Sequence, residues 1–300
     1  MSTNEKIVIT GSNGFVGNVL AKKLNSNIYS LRGIDNKSSN ESCIETINCD
    51  LVTGSMNTLE TICGNSTIVH LAALSNSNAC ENNPEQAFAL NLGVVTRLVD
   101  IVNKSNGSLI FASSEWVYPN NITGAEQRED LKIEINSENN IYSVTKIAAE
   151  WYISRYCSRY DILRFGIIYG ERETPQSAIE SIVHDSIIKS EVALKSLETA
   201  RRFIHVDDVT DGIKKLIEAE STNSIYNLSG NELVSLANII STIEKISENK
   251  INVITSREIP SIRNPINNKF KEKFSWEPKI SFEQGVINLY KYYLNRNSWK

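Results

Sequence analysis

The segment Gly11-Ser12-Asn13-Gly14-Phe15-Val16-Gly17 constrains this chain more than any other. It joins an apolar run, Ile7-Val8-Ile9, to a stretch where Phe15, Val16, Val19, Leu20 and Leu24 recur at helical spacing. Strand, glycine loop and helix in that order let the backbone approach a phosphate closely, with the helix amide end facing the negative charge. The spacing is G-x-x-G-x-x-G, not the G-x-G-x-x-G of many dinucleotide loops. A glycine turn that binds nothing has the same local sequence, so the context must decide. Eighteen residues beyond Gly17, Asp35 stands in Asp35-Asn36 at the end of a second apolar run. A carboxylate there accepts hydrogen bonds from ribose hydroxyls and repels a 2′-phosphate, which favours NAD over NADP. Lys37 argues the other way, since a cation there could meet a phosphate.

The first half of the chain alternates short apolar runs with helical patterns, the mark of a parallel sheet covered by helices. Beyond Ile7–Ile9, strands are expected at 28–34, 43–48, 67–71, 108–112, 162–165 and 225–228, with helices around 84–102 and 142–159. After Gly170 the regularity fades: 171–202 reads as loops and helical pieces, and helices are expected at 207–219, 236–246 and 282–294. The expected fold is α/β, a doubly wound parallel sheet with a smaller C-terminal lobe. The sheet domain should span 1–170, with 203–228 crossing back to it, and the lobe 171–202 and 229–300.

Composition narrows the functions. A formal charge of −4 gives no basic face for nucleic acid, and no apolar run reaches membrane-spanning length. The start, Met1-Ser2-Thr3-Asn4-Glu5-Lys6, lacks the apolar core of a signal peptide. Five cysteines with no C-x-x-C spacing argue against a disulfide scaffold or zinc site and fit reduced thiols in a cytoplasm, so no metal is expected.

Of eleven tyrosines, only Tyr142 has lysine at the fourth following position, Lys146. On a helix the phenol and the ammonium share a face. A nearby ammonium and a cationic nicotinamide ring would both lower the tyrosine pKa, so Tyr142 could take a proton from a sugar hydroxyl as hydride leaves the carbon. Upstream, the apolar run 109–112 ends in Ser113-Ser114-Glu115-Trp116, which puts Ser114 at the carboxyl end of a strand, where ligands bind in such sheets.

With these residues in view, the sequence resembles the extended short-chain dehydrogenase/reductase family, the nucleotide-sugar epimerases and dehydratases with a Rossmann-type domain. The resemblance rests on Gly11–Gly17, Asp35, Asp50-Leu51, His70-Leu71-Ala72-Ala73, Asn91, Ser113-Ser114, Tyr142 with Lys146, and Arg164 through Tyr169-Gly170. Arg201 through Asp208, Tyr226-Asn227-Leu228 and Trp276-Glu277-Pro278 complete it. It implies that Gly11, Asn13, Gly14, Phe15, Val16, Gly17, Asp35 and Asn36 hold the dinucleotide. Asp50 and Leu51 would flank the adenine, and Leu71, Ala72 and Ala73 would line the cofactor. Ser114, Tyr142 and Lys146 would be the catalytic set, with Tyr142 and Lys146 also binding the cofactor, Lys146 at its ribose. Arg201 would contact the substrate diphosphate, with Arg257 or Arg263 as a second phosphate ligand, and Ser75, Ser114, Glu115 and Trp116 would meet the sugar. The substrate implied is a nucleotide-diphosphate sugar, UDP-linked by preference. The helices at 84–103 and 142–159 would form a homodimer's four-helix bundle.

Such enzymes oxidise C4 of the hexose with bound NAD, and the fate of the 4-keto sugar sets the product. A 4,6-dehydratase uses two acidic residues just after the Ser/Thr; here these positions hold Glu115 and Trp116, and an indole cannot move the proton. The expectation is therefore an epimerase. The alternatives are a dehydratase or 4-ketoreductase in deoxy-sugar synthesis that uses Glu115, and a dinucleotide-binding sensor without catalysis. A departure at Ile167, where many epimerases have asparagine, points to a changed pocket, and one at Pro119, where a glycine is usual, to a changed loop leading to Tyr142.

Overall fold

The computed structural model describes residues 5–25, 28–37, 42–189, 191–256 and 258–297, which fall into two compact units. The first comprises Met1–Pro119, Lys132–Arg164 and Thr210–Tyr226; the second comprises Asn120–Leu131, Phe165–Val209 and Asn227–Lys300. The second unit thus also holds the segment 120–131, within the span expected for the sheet domain.

In the first unit, β1 (Glu5–Thr10) is followed by the glycine loop and helix α1 (Phe15–Leu24). Strands β2 (Tyr29–Asp35), β3 (Glu45–Asn48), β4 (Thr67–His70), β5 (Ser108–Ser114) and β6 (Tyr160–Phe165) follow. With Ser224–Leu228 they form a seven-stranded sheet in the order Ser224–Leu228, β6, β5, β4, β1, β2, β3. The pairs from β5 across to β3 are parallel. Ile7, Val8 and Ile9 are fully buried, as strands covered on both faces require. Leu59, Val95, Leu98, Val102, Phe111 and Ile153 pack around the sheet.

Strand order reverses at β1, which lies between β2 and β4, and ligands bind outside the carboxyl ends of strands at such a switch point. The register pairs Thr10 with His70 and His70 with Phe111, so β1 and β4 end side by side and β5 runs three residues further, to Ser114.

The helix expected at 84–102 is interrupted. Pro84–Phe88 and Val94–Lys104 are α-helical, but Ala89–Gly93 forms one π-type turn. The wider turn holds buried Asn91, whose amide is occupied outside the helix; such bulges frequently mark functional positions.

In the second unit, 171–202 is more ordered than its sequence suggests. It contains a helix at Ala178–Ile188 and strands at Glu191–Leu194 and Ala200–Arg201. Glu191–Leu194 pairs in parallel with Asn252–Thr255, a partner 61 residues away that no local pattern reveals. Reciprocal capping boxes start two helices: Ser177 with Glu180, and Ser235 with Asn238 at Leu236–Ser247. Ile179, Val183, Ile239, Ile243, Val286 and Leu289 are fully buried in this unit's core.

Candidate active site

Two of the loop glycines are sterically required. Gly11 has φ +71°, and a Cβ there would lie 2.9 Å from the Ala72 amide nitrogen. A Cβ at Gly17 would overlap the Gly11 carbonyl oxygen. Gly14 caps α1 without a side chain, and the first turn of α1, which holds Phe15 and Val16, carries no acid.

Asp35 locks this loop to the turn after β2. Its Oδ2 accepts the Asn13 backbone N–H at 2.9 Å and its Oδ1 accepts that of Lys37 at 2.9 Å. The Asn13 side chain adds a bond from Nδ2 to the Lys37 carbonyl at 2.5 Å, across Asn36. Each carboxylate oxygen keeps acceptor capacity beyond one backbone donor.

Leu71 continues the pairing of β4 through a 3.2 Å bond to the Thr10 carbonyl, and the Ala72 N–H reaches Thr10 Oγ1 at 3.3 Å. Leu71, Ala72 and Ala73 are half-buried, and Ser75 is exposed. Asp50 accepts the N–H groups of Val52 and Thr53 at 2.8 and 3.0 Å, and the bonds from Thr53 and then Val52 hold its carboxyl below the usual range. Beside it, buried Leu51 offers its carbonyl to the Arg97 guanidinium, which also binds the carbonyls of Val52 and Gly54.

Ser114 and Lys146 are buried, and both lie next to Tyr142. Ser114 ends β5, accepts the Trp116 N–H at 3.3 Å and hydrogen-bonds the Tyr142 phenol. Asn140 caps the helix Ile141–Tyr156 by accepting the Ser143 N–H at 2.8 Å, which sets Tyr142 in its first turn. Lys146 donates from Nζ to the Ala112 carbonyl at 2.7 Å and lies 4.7 Å from the Phe111 ring centre and 5.8 Å from that of Tyr142.

The neighbouring ammonium by itself leaves the Tyr142 phenol raised, not lowered. Burial pushes the Tyr142 phenol up to about 12, against the pull of its bond to Ser114. Burial dominates, and the Lys146 ammonium donates to the Ala112 carbonyl and lies against the Phe111 ring. Burial likewise brings the Lys146 amine down to about 8, with Glu150 opposing it. Glu115 is fully buried at the start of the short 3₁₀ turn Glu115–Val117, and Trp116 is half-buried.

Sequence reasoning gave no role to Asn91 or Thr145. Asn91 accepts the Leu74 N–H at 2.8 Å and donates to the Leu74 carbonyl at 3.0 Å and to Thr145 Oγ1 at 3.1 Å. It thereby ties the loop after β4 to the helix of Tyr142. A buried asparagine in an apolar stripe was the available signal, but its partners are distant in sequence.

In the second unit, Arg201 and Arg263 are buried and converge on Ser261. Arg201 donates to the carbonyls of Ala200, at 2.8 Å, and Ser261, and to Ser261 Oγ at 2.8 Å; Arg263 reaches the same Oγ at 3.4 Å. Ala200 bridges to Ile262, which brings the two arginines together across 62 residues. Arg257 lies outside the described residues. His205, in the same unit, is packed on Tyr169 and bonded to Glu171, and Asp208 accepts the N–H groups of Lys279 and Ile280. Among the described residues no group of three or more His, Cys, Asp or Glu is placed to hold a metal, and no helix is long and apolar enough to cross a membrane.

A model of the NAD dependent epimerase/dehydratase family matches residues 7–229. An uncharacterized UDP-glucose epimerase of Bacillus subtilis is 26% identical, over 94% of this chain and 96% of its own. Among solved structures, a Bacillus cereus UDP-glucuronic acid 4-epimerase variant in complex with a fluorinated UDP-glucuronic acid and NAD superposes with a TM-score of 0.85. It is 21% identical and covers 97% of this chain and 99% of that one. The dTDP-glucose 4,6-dehydratase of Bacillus anthracis, in complex with NAD, gives 0.82 at 19% identity, covering 98% of each chain. At these identities the structural likeness shows the fold.

Proposed function

The chain belongs to the NAD-dependent epimerase/dehydratase family, and from that premise we propose that it is a nucleotide-sugar epimerase acting at C4 of a UDP-linked hexose. The observation that carries this is the joining of Ser114, Tyr142 and Lys146 at the carboxyl end of β5, with an indole at the second position after Ser114. In this reading Gly11–Gly17, Asp35 and Leu71–Ala73 hold NAD, which supplies the hydride acceptor when bound. Ser114 holds the C4 oxygen. Tyr142 takes the C4 hydroxyl proton as the C4–H bond breaks, leaving a 4-keto sugar, and returns it when hydride adds to the opposite face. A phenol held up to about 12 must be lowered to act as base near neutrality, and Lys146, mostly ammonium below pH 8, favours the phenolate. Arg201 and Arg263, whose guanidinium groups bind Ser261, would supply the forked donors that a diphosphate takes.

Incubation with UDP-hexoses and UDP-N-acetylhexosamines should give a C4 epimer by proton NMR with no net NADH. No turnover across that panel would sink the reading. Glu115, buried directly after Ser114, supports a second one, in which its carboxylate moves the C5 or C6 proton in a dehydration. Solvent deuterium at those carbons, lost in Glu115→Gln while hydride transfer persists, would favour it. We also propose a homodimer through the helices carrying Phe88, Trp151 and Tyr156, which are 37%, 63% and 50% exposed. Trp151→Glu should then sediment as a monomer.

A further inference from the structure

Directly behind the Tyr142–Lys146 pair lies a buried ion pair that the reaction above does not use. Glu150 follows Lys146 by one helical turn and is 6% exposed; Arg164, on β6, is 3% exposed. Arg164 Nε lies 3.1 and 3.2 Å from the two Glu150 carboxylate oxygens, and Nη2 donates to Oε2 at 2.7 Å. Ser113 Oγ donates to Glu150 Oε1 at 2.5 Å. Arg164 also donates to the Tyr118 phenol at 2.9 Å and lies over its ring at 4.9 Å.

One carboxylate therefore joins three elements: the helix of Tyr142 and Lys146, the end of β5 through the residue next to Ser114, and β6. Stability alone is a poor reason for such a pair, because buried ion pairs are often no better than apolar side chains of the same volume. What the pair supplies is geometry and charge. We infer that Glu150 is a positioning residue for the proposed reaction: it fixes Ser114 and Lys146 against one another and gives the Lys146 ammonium its counter-charge. The inference rests on the reading of Ser114, Tyr142 and Lys146 as the reacting set.

The groups that face Lys146 are few. Glu150 and, more weakly, Cys80 favour its ammonium form against burial, and Tyr142 lies beside it. His70, held neutral at about 3 by burial and then by Lys146, adds no charge at neutral pH. The Ala112 carbonyl and Phe111 ring are uncharged neighbours.

The test is a carbon NMR titration of the Lys146 side chain in the full chain without cofactor, assigned with Lys146→Arg, alongside NAD binding at pH 7. The wild-type midpoint should lie at about 8. Glu150→Gln should lower it by about one pH unit and weaken NAD binding several-fold, and Glu150→Asp should restore part of both. Arg164→Gln leaves Glu150 with Lys146 as its nearest cation and should move the midpoint upward. General damage to the fold cannot produce shifts of opposite sign. An unmoved midpoint in Glu150→Gln, or equal directions in the two variants, overturns the inference. If either single variant fails to fold, Glu150→Asp decides: a midpoint below that of the wild type supports the inference and an unchanged one overturns it. Failure of the functional reading looks different, because the wild-type chain would then turn over no nucleotide sugar whatever Lys146 does.

Discussion

The two units place their polar side chains by different means. In the first, Ser114 ends a strand of a regular parallel sheet, and Tyr142 and Lys146 lie one turn apart on a helix capped by Asn140. In the second, Arg201 belongs to a two-residue strand and Arg263 to an irregular segment, joined by an isolated bridge and by shared contacts to Ser261. Regular elements hold side chains to fractions of an ångström, which the proposed proton and hydride transfer requires. For the proposed diphosphate contact an irregular segment is sufficient, because the charge of a guanidinium group acts over a longer range.

The division can be broken by mutation, and the largest effect should come from the first unit. Tyr142→Phe should lower kcat by about 10²–10⁴-fold with NAD affinity unchanged, measured by coupled assay and calorimetry. A variant that keeps a tenth of wild-type kcat would remove Tyr142 from the chemistry.

Next come the two cores. Leu98→Ala and Ile243→Ala each truncate a fully buried side chain, one per unit, and should each cost about 2–5 kcal/mol in urea unfolding. A markedly smaller loss for Ile243 would show a second unit that collapses around the gap.

Arg263→Ala should raise KM for the nucleotide sugar by roughly 10- to 100-fold with kcat little changed, the scale of one charged hydrogen-bonding group. A fall in kcat at constant KM would move Arg263 from holding substrate to assisting the reaction.

Smallest is Asp35→Asn, which should weaken NAD binding by about tenfold and narrow the gap to NADP, read by titration of both. Unchanged discrimination would mean that the clasp of Asn13 and Lys37 backbone groups, not the charge, excludes a 2′-phosphate.

Much of the first unit was legible because its cues are local. Unbroken apolar runs marked the buried strands, the glycines marked the turn, and the four-residue spacing marked the Tyr142–Lys146 face. The bonds of Asn91, Thr145 and Arg97 escaped because each reaches a partner more than 40 residues away. Glu150 carried a hint, one turn beyond Lys146, but not that Arg164 and Ser113 would meet it. In the second unit the pairing of Glu191–Leu194 with Asn252–Thr255 left no trace in either segment, since four-residue strands have no periodicity to detect.

By itself, the sequence determined the strand–loop–helix at Gly11–Gly17, the carboxylate at the end of the next strand, and the helical face shared by Tyr142 and Lys146. These follow from steric freedom at glycine and from fixed helical spacing, which need no distant partner. Only the tertiary structure decided the charge environment of the set. Burial raises the Tyr142 phenol and lowers the Lys146 amine, while Glu150, clamped by Arg164 and Ser113, opposes the second shift. Desolvation depends on everything packed around a group, and no spacing along a chain encodes it.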